Sequence, residues 1–423
     1  MASLPKPTPV QKAWQDMEIG MFFHFDIITY APGWNFRSWI NKPDPQIYNP
    51  AKLDTDQWME AAKAIGAKYA VFVAKHCSGF LQWQSDLYPY GVKQSGWRNG
   101  KGDVVADFVE SCHKYGLKPG VYASVTANGY LEVDNPGLVN RGKGGDEQKQ
   151  KEYARICEGM LTELWSRYGE LLEVWFDGGA LPPEKGGPDL VPILEKYQPD
   201  AIVFQGPAAN IRWIGNERGR AEYPCWATVP SLDSLSDRQI ALHGDPDGKM
   251  WLPGECDVPI RNHEWFWTPN DEHKVYPLDG LMEMYYESIG RNCNLLLNAN
   301  PNPDGLIPDA DFQRYVEFGK EIQRRFSNSI GETSGEGNEV ELSLDAPAEI
   351  EHVIIMEDIN QGERVREYAV DIMTENGNWE EICRGISIGH KRIEKLDKVK
   401  TQKIRLRCIK SVDKPVIIKL VVC

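Results

Sequence analysis

The chain has 423 residues, of which 41% are hydrophobic, and it carries a formal net charge of −15. This length exceeds that of one ordinary domain, so we expect a large domain followed by a smaller one. The negative charge argues against a nucleic-acid partner, because such affinity depends on Lys and Arg neutralising phosphates. No run of 18 apolar residues occurs, so we expect a protein that does not enter a membrane.

The N-terminal stretch MASLPKPTPVQ lacks the apolar core of a signal peptide. We therefore expect a soluble cytoplasmic protein, or a secreted or periplasmic one if a signal peptide preceded this sequence and was removed. Nine cysteines occur without a CxxC pair, which argues against zinc-ribbon and thioredoxin-type sites. The glycine-rich stretch 142–147 follows no strand and lacks the Lys-Ser/Thr ending of a phosphate-binding loop. The sequence leaves the oligomeric state open.

Short apolar runs alternate with amphipathic stretches over the first three hundred residues. The predicted strands are 20–25, 68–76, 117–125, 171–179, 201–206, 249–258 and 292–299. The predicted helices are 54–67, 102–116, 147–169, 190–198, 278–290 and 311–326. Such alternation, with continuous apolar strands, is typical of a parallel sheet covered by helices. Because the pattern loosens beyond residue 206, we predict a (β/α)8-like (TIM) barrel over residues 1–330, with long loops in its second half.

The pattern changes to a period of two from about residue 335. Tyr368, Val370 and Ile372 alternate with polar residues, and turn residues such as ENGN at 375–378 separate the runs. This alternation predicts an antiparallel β-sandwich over residues 335–423.

Polar side chains follow three of the predicted barrel strands. His24 comes after MFF, His76 after YAVFVAK and Asp177 after LLEVWF. In parallel barrels the active site lies at the C-terminal ends of the strands. Each histidine taken alone is better explained as an ordinary structural residue, but three polar strand ends together favour a site. Asp177 is the strongest candidate, since it precedes Gly178-Gly179 and has no helix to cap.

Glycoside hydrolysis requires a pair of carboxyl groups, and a retaining enzyme places the two about 5–5.5 Å apart. Fourteen Trp and seventeen Tyr would suit a protein that stacks sugar rings, although core packing explains many of them equally well. We expect the second carboxyl group in a loop after a later strand. The residue types alone do not choose among the candidates, which are Glu217, Glu222, Glu255, Asp257 and Glu264.

Seven segments, read in order, resemble the α-L-fucosidases of glycoside hydrolase family 29. They are FFHFDI, TDQWMEAAKAIGAKYAVFVAKHCSGF, WRNGKGDVV, EVWFDGG, RWIGNERG, PGECDVPIR and SIGRNCNLLLNANPNPDGLI. The resemblance spans roughly residues 18–310 and is closer to the branch that cleaves α-1,3/1,4-linked fucose from branched glycans. The C-terminal segment resembles the family's accessory β domain.

This resemblance implies roles for individual residues. Asp177 in WFDG would be the nucleophile, and Glu217 in the GNE motif would be the acid/base. His24 and His76 would bind fucose hydroxyls, and Trp265 would help to wall the sugar pocket. The implied reaction is a double displacement on terminal α-L-fucosyl residues of an oligosaccharide or glycoconjugate, with no metal or other cofactor.

The chain departs from the family pattern at three places. Cys77 and Ser78 replace His and Asp in the family's Lys-His-His-Asp-Gly-Phe, so that Cys77 takes a substrate-binding position. Asp26 stands where the family commonly has Gly, and residues 124–127 read Ser-Val-Thr-Ala instead of Ser-Pro-Trp-Asp. Losing a hydrogen bond to a substrate hydroxyl costs about 1–3 kcal/mol. Two alternatives therefore stay open: a retaining glycosidase for a related sugar such as an α-L-galactoside, and a catalytically weak sugar-binding homologue.

Overall fold

A computed structural model describes residues 4–143 and 146–423 of the chain. Two residues of the glycine-rich stretch, 144 and 145, lie outside the described residues. The described part contains an eight-stranded parallel sheet that nearly closes on itself, followed by an antiparallel sheet, which confirms the predicted fold class. Within those residues we find no helix with the length and apolar character needed to cross a bilayer.

The strands and helices are numbered in chain order. The strands are β1 (Ile19–Phe23), β2 (Tyr69–Lys75), β3 (Lys118–Ala123), β4 (Val133–Asp134), β5 (Leu138–Val139), β6 (Glu173–Trp175), β7 (Ile202–Phe204), β8 (Arg212–Trp213), β9 (Thr228–Val229), β10 (Met250–Trp251), β11 (Gly254–Pro259), β12 (Cys293–Ala299), β13 (Gly331–Glu336), β14 (Glu339–Glu357), β15 (Val365–Met373), β16 (Trp379–Gly385), β17 (Arg392–Ser411) and β18 (Val416–Val422). The α-helices are α1 (Pro9–Gln15), α2 (Thr55–Ala64), α3 (Val104–Tyr115), α4 (Glu147–Arg167), α5 (Val191–Tyr197), α6 (Arg238–His243), α7 (Leu278–Glu287) and α8 (Asp309–Phe326).

The barrel strands run parallel in the order β7-β6-β3-β2-β1-β12-β11-β8. An isolated parallel bridge between Phe204 of β7 and Ile211, just before β8, brings the two edges together. All eight strands therefore point their carboxyl ends to the same rim, where loops can assemble a site.

Side chains alternate between the two faces of the barrel wall. Along β2, Ala70 and Phe72 belong to the core shared with the helices, whereas Tyr69 and Val71 belong to a second core that fills the barrel interior. That interior is largely aromatic, and the rings of Trp175 and Phe204 stack at 3.9 Å. The barrel is thus a packed core, so a substrate site must lie at its rim.

Helix boundaries follow the capping signals in the sequence. The Asp54 side chain accepts hydrogen bonds from the first backbone N–H groups of α2, and the Asp103 side chain does the same for α3. Gly116 ends α3 with φ at 70°, a left-handed conformation that favours glycine. These caps hold both helices within a few residues of their predicted positions.

The predicted strand 249–258 is divided in the structure. Its first part, β10, pairs antiparallel with β9 in a separate two-stranded sheet, and its second part, β11, joins the barrel. Leu252 and Pro253 separate the two, and proline cannot donate to a strand ladder. The barrel strand β8, which the sequence pattern does not predict, has only two residues, so it is too short to show a periodic pattern.

The C-terminal strands form one antiparallel sheet in the order β13-β18-β14-β17-β15-β16. Bulges interrupt the long pair β14 and β17. Tyr368, Val370 and Ile372 are all buried in one apolar core, as their alternation predicts. The sheet docks on the barrel through buried polar contacts: Asn292 Nδ2 donates to Glu363 Oε1 at 2.6 Å, and Ala227 N also donates to that carboxylate.

Candidate active site

A cavity of about 100 Å³ lies at the C-terminal rim of the barrel. It brings together His24, His76, Asp177, Glu217 and Trp265, all of which the sequence predicts as site residues. The full lining consists of Phe22, His24, His76, Tyr122, Trp175, Asp177, Glu217, Asp257 and Trp265.

Asp177 follows β6 by two residues and is fixed through both its backbone and its side chain. Thr126 Oγ1 donates to its carbonyl oxygen at 2.6 Å. Tyr122 OH donates to Oδ2 at 2.9 Å, and the Cys77 thiol approaches the same oxygen at 3.4 Å. Within the described chain no side chain donates to Oδ1. One carboxylate oxygen is therefore held in place while the other stays available for reaction.

Two glycines give the Asp177 loop its shape. Gly178 and Gly179 have φ values of 71° and 82°, a region that residues with a Cβ rarely adopt. The chain can therefore turn away sharply after Asp177 and leave the carboxylate at the rim.

Glu217 reaches the cavity from the loop after β8. Asn216 shapes this loop, since its Oδ1 accepts from Arg218 N at 3.0 Å and its Nδ2 donates to the carbonyl of Arg220 at 3.1 Å. The Glu217 side chain is exposed, and Trp265 Nε1 donates to its Oε2 at 3.0 Å. Glu217 is thus a carboxyl group with solvent access that is oriented by one indole.

The two histidines are neutral hydrogen-bonding groups. His24 Nδ1 lies 2.6 Å from Asn298 Oδ1, so that nitrogen carries the proton and Nε2 is left as an acceptor. Burial lowers the pKa of His24 to about 3 and also lowers the pKa of His76 well below its usual value. His76 stacks on the ring of Tyr122, and its Nδ1 is buried without a hydrogen-bond partner in the described structure.

Trp265 stands between the histidines and Glu217. Its ring lies 4.8 Å from the His24 ring, and its carbonyl oxygen accepts from Asn298 Nδ2 at 3.1 Å. Asn298 therefore positions both His24 and Trp265, although the sequence gives it no role.

Cys77 is buried beneath the cavity and contacts Asp177 directly. Its Sγ lies 3.5 Å from Ser124 Oγ, and burial raises the pKa of the thiol to about 12. At neutral pH the thiol is therefore protonated, and it can act as a weak donor to the Asp177 carboxylate.

Two further departures from the family pattern, Ser78 and Asp26, are paired. Ser78 Oγ donates to Asp26 Oδ2 at 2.8 Å, and Asp26 also accepts from Ile28 N at 3.0 Å. Both residues are fully buried, and neither lines the cavity. This pair therefore supports the loop after β1 and has no direct role in the cavity.

Of the five candidates for the second carboxyl group, two reach the cavity, Glu217 and Asp257. Glu222 forms an exposed ion pair with Arg218 at 3.3 Å, and Glu264 pairs with Lys274 at 2.6 Å. Asp257 is buried, accepts from Trp213 Nε1 at 2.9 Å, and has its pKa raised well above the usual value by burial and by the charge of Glu217. Asp257 is therefore a buried acid beside Glu217, and its charged form is disfavoured.

The fifth candidate, Glu255, lies in the barrel interior below the cavity beside Glu173. Trp175 Nε1 and Tyr69 OH donate to its two oxygens at 3.1 and 2.9 Å. Glu173 accepts from Trp14 Nε1 at 3.2 Å. Burial raises the pKa of both carboxyl groups, that of Glu255 to about 7 and that of Glu173 well above its usual value. At least one of the two is therefore protonated at neutral pH.

Tyr122 and Trp175 are site residues that sequence reasoning missed. Both are aromatic residues in apolar strands, and nothing in such a run distinguishes a ring that fills the core from one whose hydroxyl reaches the rim. Their position at the last or next-to-last place of a barrel strand is the signal that could have identified them.

A parallel (β/α) barrel with two carboxyl groups in a rim cavity, walled by aromatic rings and neutral histidines, has the architecture of a glycoside hydrolase. Residues 1–325 match the family model for α-L-fucosidases. Alpha-L-fucosidase 1 of Arabidopsis thaliana is 32% identical over 458 residues, covering 98% of this chain and 86% of that protein.

Solved structures of this family are similar to the whole described fold. A Bacteroides thetaiotaomicron protein assigned as an α-L-fucosidase is 43% identical with a TM-score of 0.94, covering 99% of each chain. A glycoside hydrolase family 29 member from an unknown rumen bacterium is 30% identical with a TM-score of 0.86, covering 100% of this chain and 78% of that one. The chain belongs to the α-L-fucosidase family, glycoside hydrolase family 29, and is a glycoside hydrolase, which confirms the predicted family and enzyme class.

Proposed function

We propose that the protein is a retaining exo-α-L-fucosidase with Asp177 as nucleophile and Glu217 as acid/base. Its substrate would be a fucosylated oligosaccharide or glycoconjugate. The observation that carries the proposal is the state of Asp177: Oδ2 is held by Tyr122 and Cys77, Oδ1 is free of protein donors among the described residues, and Glu217 lines the same cavity.

In the first step Asp177 Oδ1 forms a bond to the anomeric carbon as the bond to the leaving oxygen breaks. Glu217, protonated, gives its proton to that oxygen, which leaves as an alcohol. The Tyr122 hydroxyl and the Cys77 thiol keep Oδ2 still, so little reorganisation accompanies the attack.

In the second step a water molecule attacks the anomeric carbon and the ester bond to Asp177 breaks. Glu217, now a carboxylate, takes the proton from that water. The exposure of Glu217 supports this role, because water must reach it once the leaving alcohol has gone. Two inversions return the sugar with its original configuration.

The sugar hydroxyls would bind to the neutral imidazoles of His24 and His76, and the ring of Trp265 would cover one face of the pyranose. Cys77 would occupy the place of a hydroxyl-binding histidine. These steps need only the two carboxyl groups, and no metal or cofactor takes part in them.

Cleavage of α-1,3/1,4 linkages in branched glycans fits the space beside the pocket. A neighbouring cavity of about 290 Å³, larger than the one at the carboxylates, is lined by Gly178, Gly179 and Trp213. Gly178 and Gly179 directly follow Asp177, and Trp213 donates to Asp257 of the catalytic cavity. The rest of a glycan could therefore lie there while its terminal sugar enters the catalytic cavity.

A hydrolase for α-L-galactosides is the second candidate, and Cys77 favours it. The thiol is smaller than the imidazole that the family usually carries at this place, and L-galactose differs from L-fucose by one added hydroxyl. The ratio of kcat/KM on aryl α-L-fucoside and aryl α-L-galactoside decides between the two sugars.

The test of the mechanism is release of an aryl alcohol from aryl α-L-fucoside, with the product anomer identified by NMR. We expect the α-anomer first, and we expect Asp177→Asn to lower kcat by at least about 1,000-fold. Glu217→Gln should lose activity on natural glycans, whereas Glu222→Gln, a matched change in the same loop, should keep it. Undiminished turnover by Asp177→Asn, or release of the β-anomer, would refute the mechanism. Binding without turnover in the unaltered protein would favour the sugar-binding homologue.

A further inference from the structure

His76, Cys77 and Asp177 form a cluster in which each residue offers one metal-ligating atom. A ring nitrogen of His76, Sγ of Cys77 and a carboxylate oxygen of Asp177 all lie within 4.8 Å of one another. The distance from Cys77 Sγ to Asp177 Oδ2 is 3.4 Å. In a tetrahedral zinc site, bonds of 2.0–2.3 Å separate neighbouring ligand atoms by about 3.5 Å. The cluster therefore needs only a small closure to match that geometry.

We propose that His76, Cys77 and Asp177 bind a zinc-type divalent cation, which inactivates the protein by occupying the nucleophile. Thiolate, imidazole and carboxylate are the ligands that Zn²⁺ uses in proteins, and water would complete the fourth position. The cation and the sugar compete for the same carboxylate. Metal binding itself does not depend on the catalytic role assigned to Asp177.

The His76 ring is available as a ligand. Its Nδ1 is buried and makes no hydrogen bond within the described part of the chain, so no protein group holds that nitrogen. A metal ligand must be unprotonated at the binding atom, and a ring nitrogen without a hydrogen-bond partner can meet that condition.

The Cys77 thiol must lose its proton on binding, because the thiolate is the ligand. Because the bound form is the thiolate, metal binding releases a proton from Cys77, and affinity should rise with pH. Lys75 opposes the cation. Its Nζ is held by the carbonyl oxygens of Ser124 and Ala127 at 2.6 Å each, and its charge lies close to Cys77 and Asp177. Two anionic ligands, the Cys77 thiolate and the Asp177 carboxylate, outweigh that single positive charge.

The sulfur ligand sets the choice of cation. Mg²⁺ and Ca²⁺ prefer oxygen ligands, whereas Zn²⁺, Co²⁺ and Cd²⁺ accept thiolate. The site is also a property of this sequence, since Cys77 is one of its departures from the family pattern. The inhibitory cation should therefore be thiophilic, and Mg²⁺ and Ca²⁺ should leave the protein unaffected.

The direct test is titration of the full-length protein with Co²⁺ and Cd²⁺, followed by thiolate-to-metal charge-transfer absorption. We expect one cation per chain, reversal by EDTA and displacement by Zn²⁺ but not by Mg²⁺. Cys77→Ser should abolish the thiolate band and weaken Zn²⁺ binding by about 100-fold or more, since changes even to groups that only orient ligands cost about 10–100-fold. Asp177→Asn should weaken it too. Cys383→Ser, in the C-terminal sheet, is the matched control and should bind as the unaltered protein does.

A thiolate band that persists in Cys77→Ser would overturn the proposal, because it would place the cation at another thiol such as the Cys225–Cys293 pair, whose sulfurs lie 3.4 Å apart. If Cys77→Ser fails to fold, the unaltered protein still decides: binding without a thiolate band or without proton release would refute the site, and binding without competition by L-fucose would refute the inactivation. The thiolate band and the proton release require no fucoside turnover, so they stand even if the protein proves not to be a fucosidase.

Discussion

Trp265 orients Glu217 through a single hydrogen bond, from its Nε1 to Oε2 at 3.0 Å. Its backbone is fixed independently by Asn298, so a change in the ring should leave the loop in place. The indole thus combines two roles, a wall for the sugar and a donor to the acid/base, and the two can be separated by substitution.

We expect Trp265→Phe to lower kcat/KM on fucosides by about tenfold. The phenyl ring keeps the aromatic face, but Glu217 loses the hydrogen bond that stabilises the negative charge it develops as it gives up its proton, worth about 1.5 kcal/mol. Steady-state kinetics would measure the change. Trp267→Phe, in the same loop but outside the cavity lining, serves as control, and equal losses in the two variants would contradict the role given to Trp265.

The buried pair Glu173 and Glu255 makes the free energy of unfolding depend on pH. In the folded state Glu173 has its pKa raised well above its ordinary value of 4.5, so it keeps a proton that the unfolded chain releases. The native protein then binds more protons than the unfolded chain above about pH 4.5, and the free energy of unfolding falls as pH rises through this range.

We expect Glu173→Gln to remove most of that dependence. The amide can accept from Trp14 and donate to Glu255 without needing a proton from solvent. The free energy of unfolding of Glu173→Gln should equal that of the unaltered protein at about pH 5. The difference should grow in favour of the variant by up to about 1 kcal/mol per pH unit towards about pH 8. Urea unfolding at several pH values measures this. The exposed Glu170→Gln is the control, and parallel curves for the two variants would show that Glu173 is not the cause.

At the residue scale, sequence analysis found the polar residues of the cavity and Trp265, and it missed the aromatic residues of the barrel strands, Phe22, Tyr122 and Trp175. His24, His76 and Asp177 stand out because polar side chains end apolar runs at strand ends. Tyr122 and Asn298 do not, because their contribution depends on which neighbour their side chain meets across the barrel. The choice of Glu217 over Glu222 depends on loop geometry, and only the family resemblance could anticipate it.

Among the elements, β1 shows how tightly the barrel interior is packed. A Cβ added at Gly20 would lie 2.4 Å from the Tyr69 ring, which donates to Glu255. Glycine is required here by this close approach and not by backbone conformation.

We expect Gly20→Ala to destabilise the fold by about 1–3 kcal/mol, since the Tyr69 ring must move and its bond to Glu255 must stretch. Chemical denaturation measures the loss. Gly280→Ala in α7, where the nearest atom to the new Cβ is 3.5 Å away, should be neutral or stabilising. Similar effects at both positions would argue against the close contact in β1.

Long elements were predictable and short ones were not. Helices α2 and α3 carry their own caps, and β2 has seven consecutive buried residues, so local sequence suffices for them. The two-residue strand β8 is defined by its neighbour β11 and by closure of the barrel. Leu252 and Pro253 divide β10 from β11, a break that depends on which partner each half finds.

For the whole molecule, the alternation of strands and helices followed by period-two strands was enough to predict a barrel and a C-terminal β region. What it could not predict is how firmly the two are joined. Glu363 of the C-terminal region is buried against Asn292 and Ala227 of the barrel, and Lys391 pairs with Glu18. We propose that residues 335–423 form an accessory domain that stabilises the barrel.

We therefore expect Glu363→Ala to lower the free energy of unfolding by about 1–3 kcal/mol, because the Asn292 amide and the Ala227 N–H would be buried without an acceptor. Thermal unfolding followed together with residual hydrolysis would measure it. Glu367→Ala in β15 is the control, since Arg384, near the surface, is its one ion-pair partner among the described residues. An unchanged unfolding midpoint in Glu363→Ala would mean that the two parts are stable independently.

The buried Asp26–Ser78 pair limits which residues these two positions can accept together. In the family pattern the acid stands at position 78 and a glycine at position 26. Acids at both positions would place two carboxyl groups next to each other in the core. Serine at position 78 with glycine at position 26 would leave only one small hydroxyl group without a hydrogen-bond partner. The two positions are therefore coupled, and an acid could stand at position 78 in this protein only if the acid at position 26 were removed first.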